Sequence, residues 1–326
     1  MNNLSNVSEH NVTGEVHVDR KVSLVFAYAM LVFAAVGVIA NLYVICMLRY
    51  PGKVRITNIY VLNRCLADLL FFLPVPALVA DITLDHWMFG DVLCRMCMTQ
   101  LHVCSYASNA FLLVMSVDCF YAVTHTGDES LSRRTRVMKV LVSVVWVLAV
   151  VLAVPYLTIF GAQIYDKSAV THCVLLIASE ASTAFSLYLF FSISSNTVTL
   201  VTCWVMLSMA TSTKSTSILT LQNDREGLPV WRLLLGLTVT LTMCQGLPTL
   251  LQILEFVWSS SRSEMMNVLR RVLILTNSLF FLNAALSPLV YLAVKARETE
   301  SSHQDTHLQA SSTLLTQEDT LTDNDL

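Results

Sequence analysis

The sequence predicts an all-α membrane protein, a seven-helix bundle with its N-terminus outside and its C-terminus inside. Three observations carry this. The 326 residues are 55% hydrophobic and only 13% charged, whereas a soluble domain is nearer one-quarter charged. The charges gather at the two ends and in short connections, leaving seven apolar segments long enough to cross about 30 Å of hydrocarbon as helices. The basic residues fall in alternate connections, as the positive-inside rule requires.

The segments run from Val22 to Leu48, Asn58 to Ile82, Val92 to Val123, Val137 to Phe160, Ala181 to Met209, Val230 to Val257, and Val272 to Val294. Arg49, Lys53 and Arg55 separate the first two with no acid among them, and Arg133, Arg134, Arg136 and Lys139 follow the third. Asp81, Asp85 and Asp91 share a connection on the opposite face. The chain therefore divides into an extracellular tail (1–21), the bundle (22–294) and a cytoplasmic tail (295–326).

The N-terminal tail supports this orientation independently. Asn3, Asn6 and Asn11 each begin a glycosylation sequon, and such sites are used only on the lumenal or outer face. The first apolar run starts too late and is too long for a cleavable signal peptide, so the first span is expected to direct its own insertion. The C-terminal tail is rich in Ser and Thr with interspersed acids. Such a composition buries no core and predicts a disordered segment; phosphorylated, it would offer an arrestin-type docking site.

Of nine cysteines, Cys94 and Cys173 lie in an oxidising position, at the outer start of the third span and in the loop before the fifth. A bridge between them would pin that loop over the bundle. The other seven read as small buried hydrophobes.

Several function classes fall away. A net charge of −3, with no basic patch interleaved with aromatics, excludes a nucleic-acid binder. No internal repeat supports a transporter of the inverted-repeat kind. An intramembrane protease needs facing aspartates or a Ser/His pair. Asp68 and Asp118 lie on different spans, and neither His102 nor His172 has a nucleophile in a suggestive context. In "MSVDCFYAV", Asp118 and Cys119 are adjacent on a helix and diverge by about 100°. No second ligand pair makes them a metal site, and no placed base makes them a catalytic dyad. The chain is not expected to be an enzyme.

The order of markers along the spans resembles the rhodopsin-type (class A) G-protein-coupled receptors over Val22 to Val294. "GVIANLYVICMLRY" carries Asn41, "TNIYVLNRCLADLLFFLPVP" carries Asp68, and "HWMFGDVLC" supplies Trp87, Phe89, Gly90 and Cys94. "SVDCFYAVTH", Trp146 with Pro155, and "SPLVY" follow in the third, fourth and seventh spans. "TNIYVLN", "HWMFG" and "VMSVD" are similar to the somatostatin, opioid and neuropeptide B/W group. The resemblance implies a plasma-membrane receptor for an extracellular ligand, a peptide in this group, with a heterotrimeric G protein and arrestin as inner partners and lipid around it.

Five departures stand against that pattern. Where the family's third span ends Asp-Arg-Tyr, this chain has Asp118-Cys119-Phe120, so the cation is gone. Where the sixth carries Cys-Trp-x-Pro, it has Gln245-Gly246-Leu247-Pro248, keeping only the kinking proline. Asn-Pro-x-x-Tyr becomes Ser287-Pro288-Leu289-Val290-Tyr291, and the fifth span has "SISSNT" where a proline is usual. In the ligand pocket the subgroup's cation-binding Asp is replaced by Leu101, with His102 beside it. Asp81 and Asp85, with Asp91, could attract a basic peptide or could be solvated surface charge. "DCF" is thus a degenerate signalling motif.

Asp68 sits at membrane depth, where an ionisable residue is a functional hypothesis by default. In the family it helps to hold a sodium ion, and Ser108 and Asn283 match members of that set while Ser287 replaces an Asn. Arg64, four residues earlier, shares its helix face. Arg64 either snorkels to the inner headgroups or pairs with Asp68, and its presence puts the ion in doubt; no other cofactor is implied. The reading is a class A receptor. Its rival is a receptor fold that no longer couples normally: a decoy or scavenger, or a constitutively active homologue such as a virus-captured one.

The clustered sequons generate a first prediction. The mature protein should run as a diffuse, heavy band that collapses after N-glycosidase treatment. A band that does not collapse, with the N-terminus labelled from the cytoplasm, would overturn the orientation.

Overall fold

The computed structural model describes residues 20–49, 56–124, 131–165, 170–175, 182–212, 230–258 and 264–322. The three sequons, Lys53 and Arg55 lie outside these residues. The first helix, α1 (Arg20–Arg49), precedes Pro51 and Gly52. The second crossing is two helices, α2 (Ile56–Phe72) and α3 (Val75–Leu84), and the third is the single long α4 (Gly90–Thr124). The fourth comprises α5 (Leu131–Ala153) and a short α6 (Tyr156–Ile159).

A two-stranded antiparallel hairpin follows, β1 (Phe160–Tyr165) with β2 (Val170–Leu175), and then α7 (Ser182–Ser212). The sixth crossing is α8 (Val230–Leu241), a π turn over Thr242–Gly246, and α9 (Leu247–Trp258). The last helix is α10 (Glu264–Thr322). Six stretches are long and apolar enough to cross a membrane: Arg20–Arg49, Thr57–Leu84, Gly90–Tyr121, Arg136–Ile159, Val230–Leu254 and Arg271–Glu300. Helix α7, packed on α4 and α9, completes the seven-helix bundle.

Each break in a crossing falls at a proline, and each has the same physical origin. Proline has no N–H, so the carbonyl four residues earlier loses its helical donor. In hydrocarbon no water replaces that donor, and an unpaired carbonyl costs several kcal/mol. At Pro74 the freed carbonyl is that of Leu70. Gln100 Nε2, reaching across from α4, donates to it at 2.8 Å, and Leu73 N adds a 3.3 Å contact. At Pro288 the freed carbonyl is that of Ala284. Asn41 Nδ2 of α1 donates to it at 3.2 Å and to Gly37 O at 2.9 Å. At Pro155 the repair is local, with Val154 N donating to Val151 O at 3.3 Å. The π turn lies directly before Pro248 and absorbs that break within its own backbone.

Small residues allow α1 and α10 to approach closely. A Cβ at Gly37 would collide with the Phe72 ring and lie 3.3 Å from the Ala285 backbone. Ala34, Ala40, Ala284 and Ala285 are buried nearby, the composition of a membrane seam held by shape rather than by polar groups.

The hairpin was not legible as strands in the loop before the fifth span, and it is fastened at several points. The Cys94–Cys173 disulfide joins α4 to β2 with 5.5 Å between Cα atoms. Asp91 Oδ1 accepts the Ala162 amide at 2.8 Å, and Arg95 Nη1 donates to Leu157 O at 2.8 Å. Trp87 N donates to Thr171 O at 2.6 Å, and the Trp87 indole donates to Gly90 O at 2.8 Å. Gly90 adopts φ +76°, a left-handed conformation that glycine adopts at little cost, and the turn folds the buried Trp87 back into the cluster holding Cys94 and Cys173. The "HWMFGDVLC" string is thus one folded unit.

The final helix runs to Thr322, where composition led to an expectation of disorder from 295. Residues 295–322 contain neither Gly nor Pro, so nothing in them breaks the helix that leaves the membrane.

The disulfide sets the second prediction. Replacing Cys94 or Cys173 with Ser should cut surface expression to a similar extent, from a loss on the order of 2–5 kcal/mol. The double mutant should be no worse than either single. Clearly additive losses would show that the two cysteines act separately.

Candidate functional site

Two buried polar groups link helices of the bundle, and one of them surrounds Asp68. Asp68 and Arg64 are 2% and 3% exposed. The sequence left two readings of Arg64, a direct partner of Asp68 or a snorkelling cation, and the structure takes neither. Arg64 Nη1 donates to Ser108 O at 3.3 Å, and Nη2 donates to Ser287 Oγ at 2.9 Å. Ser108 Oγ donates to Asp68 Oδ1 at 2.9 Å. Ser108 therefore stands between the two charges, giving its carbonyl to the cation and its hydroxyl proton to the anion. Ser287 passes the chain on to Asn283 O at 2.8 Å. Arg64 thereby ties α2 to α4 and α10 at once.

These residues do not fit a sodium ion. The guanidinium already uses the Ser287 hydroxyl, and the one carboxylate is balanced by one fixed cation. A second cation would leave net positive charge in hydrocarbon, which is costly.

A second group was missed by sequence reasoning apart from Gln245 and the "SISSNT" string. Asn109 Nδ2 on α4 donates to Asn196 Oδ1 on α7 at 3.0 Å and to Gln245 Oε1 of the π turn at 3.1 Å. Asn196 Nδ2 donates to Thr249 Oγ1 at 3.3 Å, and Ser192 Oγ donates to Gln252 Oε1 at 3.5 Å. All six side chains are buried. The signal was present: Ser192 and Asn196, and Gln245, Thr249 and Gln252, fall at helical spacing within apolar spans, so each set shares one face. Gly246 stands where the family's tryptophan would be, and a Cβ there would meet only Thr242 Cγ2, at 4.0 Å.

At the end of α4 away from the hairpin, Cys119 is 6% exposed and packs in the same apolar cluster as Met115, Cys203 and Tyr291. Asp118 and Phe120 beside it are half-buried. Pro288 and Pro248 are buried kink positions. The structure brings Cys119 and Tyr291 into one cluster across α4 and α10.

The pocket candidates diverge. Leu101 packs with the cluster that includes Phe71, Cys97 and Phe281. His102 turns the other way and stacks on Tyr156, ring centroids 3.7 Å apart and 14° from parallel; Tyr156 in turn shares a 2.7 Å hydroxyl contact with Tyr106. Of the three acids only Asp81 is buried, and each of them has a basic partner. Asp81 contacts His172 at 3.2 Å and accepts the Cys173 amide at 3.4 Å. Asp91 accepts from Arg95 Nε at 2.7 Å, and Asp85 lies 4.0 Å from Arg20.

A bundle of seven crossings, a strapped hairpin at one end and buried polar links between helices define the class, a seven-helix membrane receptor. Residues 40–291 match the family described as 7 transmembrane receptor (rhodopsin family), and the chain belongs to that family. It is 37% identical to somatostatin receptor type 5 of Mus musculus over 41% of this chain and 37% of that one. It is 34% identical to somatostatin receptor type 1 of Rattus norvegicus over 52% of this chain and 44% of the other. A somatostatin-like receptor of Takifugu rubripes is 33% identical over 49% and 56% of the two chains. The matches therefore span about half the length of these relatives or less. The family consists of multi-pass plasma-membrane receptors, not enzymes, and the chain is one of them.

The Arg64 network sets the third prediction. A lone charge at the centre of a membrane helix costs roughly 2.5–3.5 kcal/mol. Asp68→Asn alone should lower folded surface protein more than the Arg64→Leu/Asp68→Asn double mutant, because the single change strands a buried cation. Arg64→Leu alone should make basal activity sensitive to sodium. Normal expression of Asp68→Asn beside a failing double mutant would show that the two charges are not coupled.

Proposed function

We propose that this chain is a cell-surface receptor for an extracellular peptide, with the hairpin end outside. Ligand binding there would shift a helix-bundle equilibrium read at the inner end by a heterotrimeric G protein or arrestin. The observation that carries the reading is the hairpin fastened across the bundle mouth on a rhodopsin-family scaffold, beside relatives that are somatostatin receptors. Peptide ligands need a mouth wide enough to admit several residues and a rim that holds its shape, and the multiply anchored hairpin supplies such a rim.

The ligand differs from a simple cation-anchored peptide in this reading. Leu101 packs into an apolar cluster, so no carboxylate at that level awaits a lysine or amine. Asp81, Asp85 and Asp91 hold the hairpin and Arg95 rather than forming a free acidic patch. Recognition then rests on apolar and hydrogen-bonding contacts. The Ser/Thr-rich residues after 295, once phosphorylated, form the arrestin-docking segment.

Basal and agonist-stimulated second-messenger assays, read beside surface expression, test the proposal. Ligand-dependent signalling supports it. Surface protein that binds peptide but never signals would identify a decoy, and solute flux would identify a transporter. The inner end adds a fourth prediction. Cys119 is buried where the family places an arginine, so Cys119→Arg should raise basal or agonist signalling several-fold at equal surface level. An unchanged or lower signal would mean that this chain engages its partner through another contact.

A further inference from the structure

At the hairpin end, His172 of β2 stands between two carboxylates. Its Nδ1 lies 3.2 Å from Asp81 Oδ1 and its Nε2 3.8 Å from Asp85 Oδ1. Asp81 is buried, and its second oxygen accepts the amide of the disulfide-bonded Cys173 at 3.4 Å. Asp85 ends α3 in the left-handed region, φ 55°, which fixes its direction, and its other oxygen lies 4.0 Å from Arg20 of α1. His86, the next residue, holds the same strand through the opposite chemistry, because its Nδ1 accepts the Thr171 amide at 3.3 Å. Across the hairpin His172 pairs with the uncharged Gln163. Among the described residues, the charged and titratable groups around His172 are therefore Asp81 and Asp85, with Arg20 behind Asp85 and His86 beside Thr171.

A neutral imidazole has a single N–H. When that proton sits on Nδ1 and serves Asp81, Nε2 presents a lone pair to the Asp85 carboxylate. A second proton on Nε2 turns that repulsion into an ion pair with Asp85 and adds the imidazolium charge to the contact with Asp81. We propose that His172, Asp81 and Asp85 form a proton-binding site that tightens the hairpin over the bundle mouth when the outer medium acidifies. His86 opposes it, since only a neutral Nδ1 can accept the Thr171 amide. The tightening is present when His172 carries protons on both ring nitrogens and is lost when it gives one up. The site regulates the ligand-facing end of the proposed receptor and rests on that end facing outward or into a vesicle lumen.

Hydrogen exchange of the full chain in lipid nanodiscs tests this, with each rate divided by its intrinsic rate at the same pH. Between about pH 7.5 and about pH 5.5, protection of the Cys173 and Trp87 amides, which report attachment of the hairpin, should rise about fivefold, the worth of roughly one net polar contact. His172→Gln should abolish the rise, and His86→Gln should enlarge it. If His172→Gln does not accumulate, the exposed Asp85→Asn removes the Nε2 partner and should lessen the rise by itself. A wild-type protein without the rise, or variants of His172 and Asp85 that keep all of it, would overturn the proposal. The readout needs neither ligand nor G protein, so a failed signalling assay and a failed protonation test point to different errors.

Discussion

Hydrocarbon offers no hydrogen-bond partner, and the rest of this structure follows from that constraint. Seven crossings are built mostly of residues that ask nothing of the solvent, yet prolines interrupt several of them. Each interruption exposes a carbonyl, and the neighbouring helix supplies the missing donor where the chain cannot. Gln100 caps the Leu70 carbonyl and Asn41 caps that of Ala284. These two amides therefore do more than fill space: they decide which helices may lie beside one another. A kinked helix is stable here only next to the partner that repairs it.

The same rule extends to charge. Arg64 is tolerated at depth because Ser108 O and Ser287 Oγ accept hydrogen bonds from its guanidinium, and Asp68 because Ser108 Oγ donates one to it. The arrangement joins three crossings through one side chain. One residue on from Ser108, Asn109 does the equivalent work for α4, α7 and the π turn with uncharged groups. The bundle thus carries two polar knots, one ionic and one neutral, set among the apolar clusters of its core.

How much of this could be read in advance differs by feature. The crossings were legible because hydrophobic length is a one-dimensional property, visible without knowledge of neighbours. The Cys94–Cys173 bridge was legible because topology left those two cysteines apart from the rest. Arg64 and Asp68 were legible as a pair of interest but not as a network, since the mediating Ser108 belongs to another helix. Asn109 and Asn196 escaped for the same reason: each looks like an isolated polar residue until three helices are brought together. The hairpin escaped because its strands are short and its anchors, Asp81, His86, Trp87 and Asp91, sit some eighty residues earlier in the chain.

The π turn at Thr242–Gly246 carries a consequence of its own. A π turn holds about one residue more than an α-helical turn, and one residue in a helix is about 100° of rotation. Everything after it, from Leu247 onward, is therefore phased by that extra residue. Thr249 and Gln252 meet Asn196 and Ser192 only in this phase. Loss of a single residue within the turn would swing both toward the lipid while leaving the apolar length of the crossing almost unchanged. A comparison with relatives that lack the turn must open a one-residue gap there, or it will pair every later position of the crossing with the wrong face.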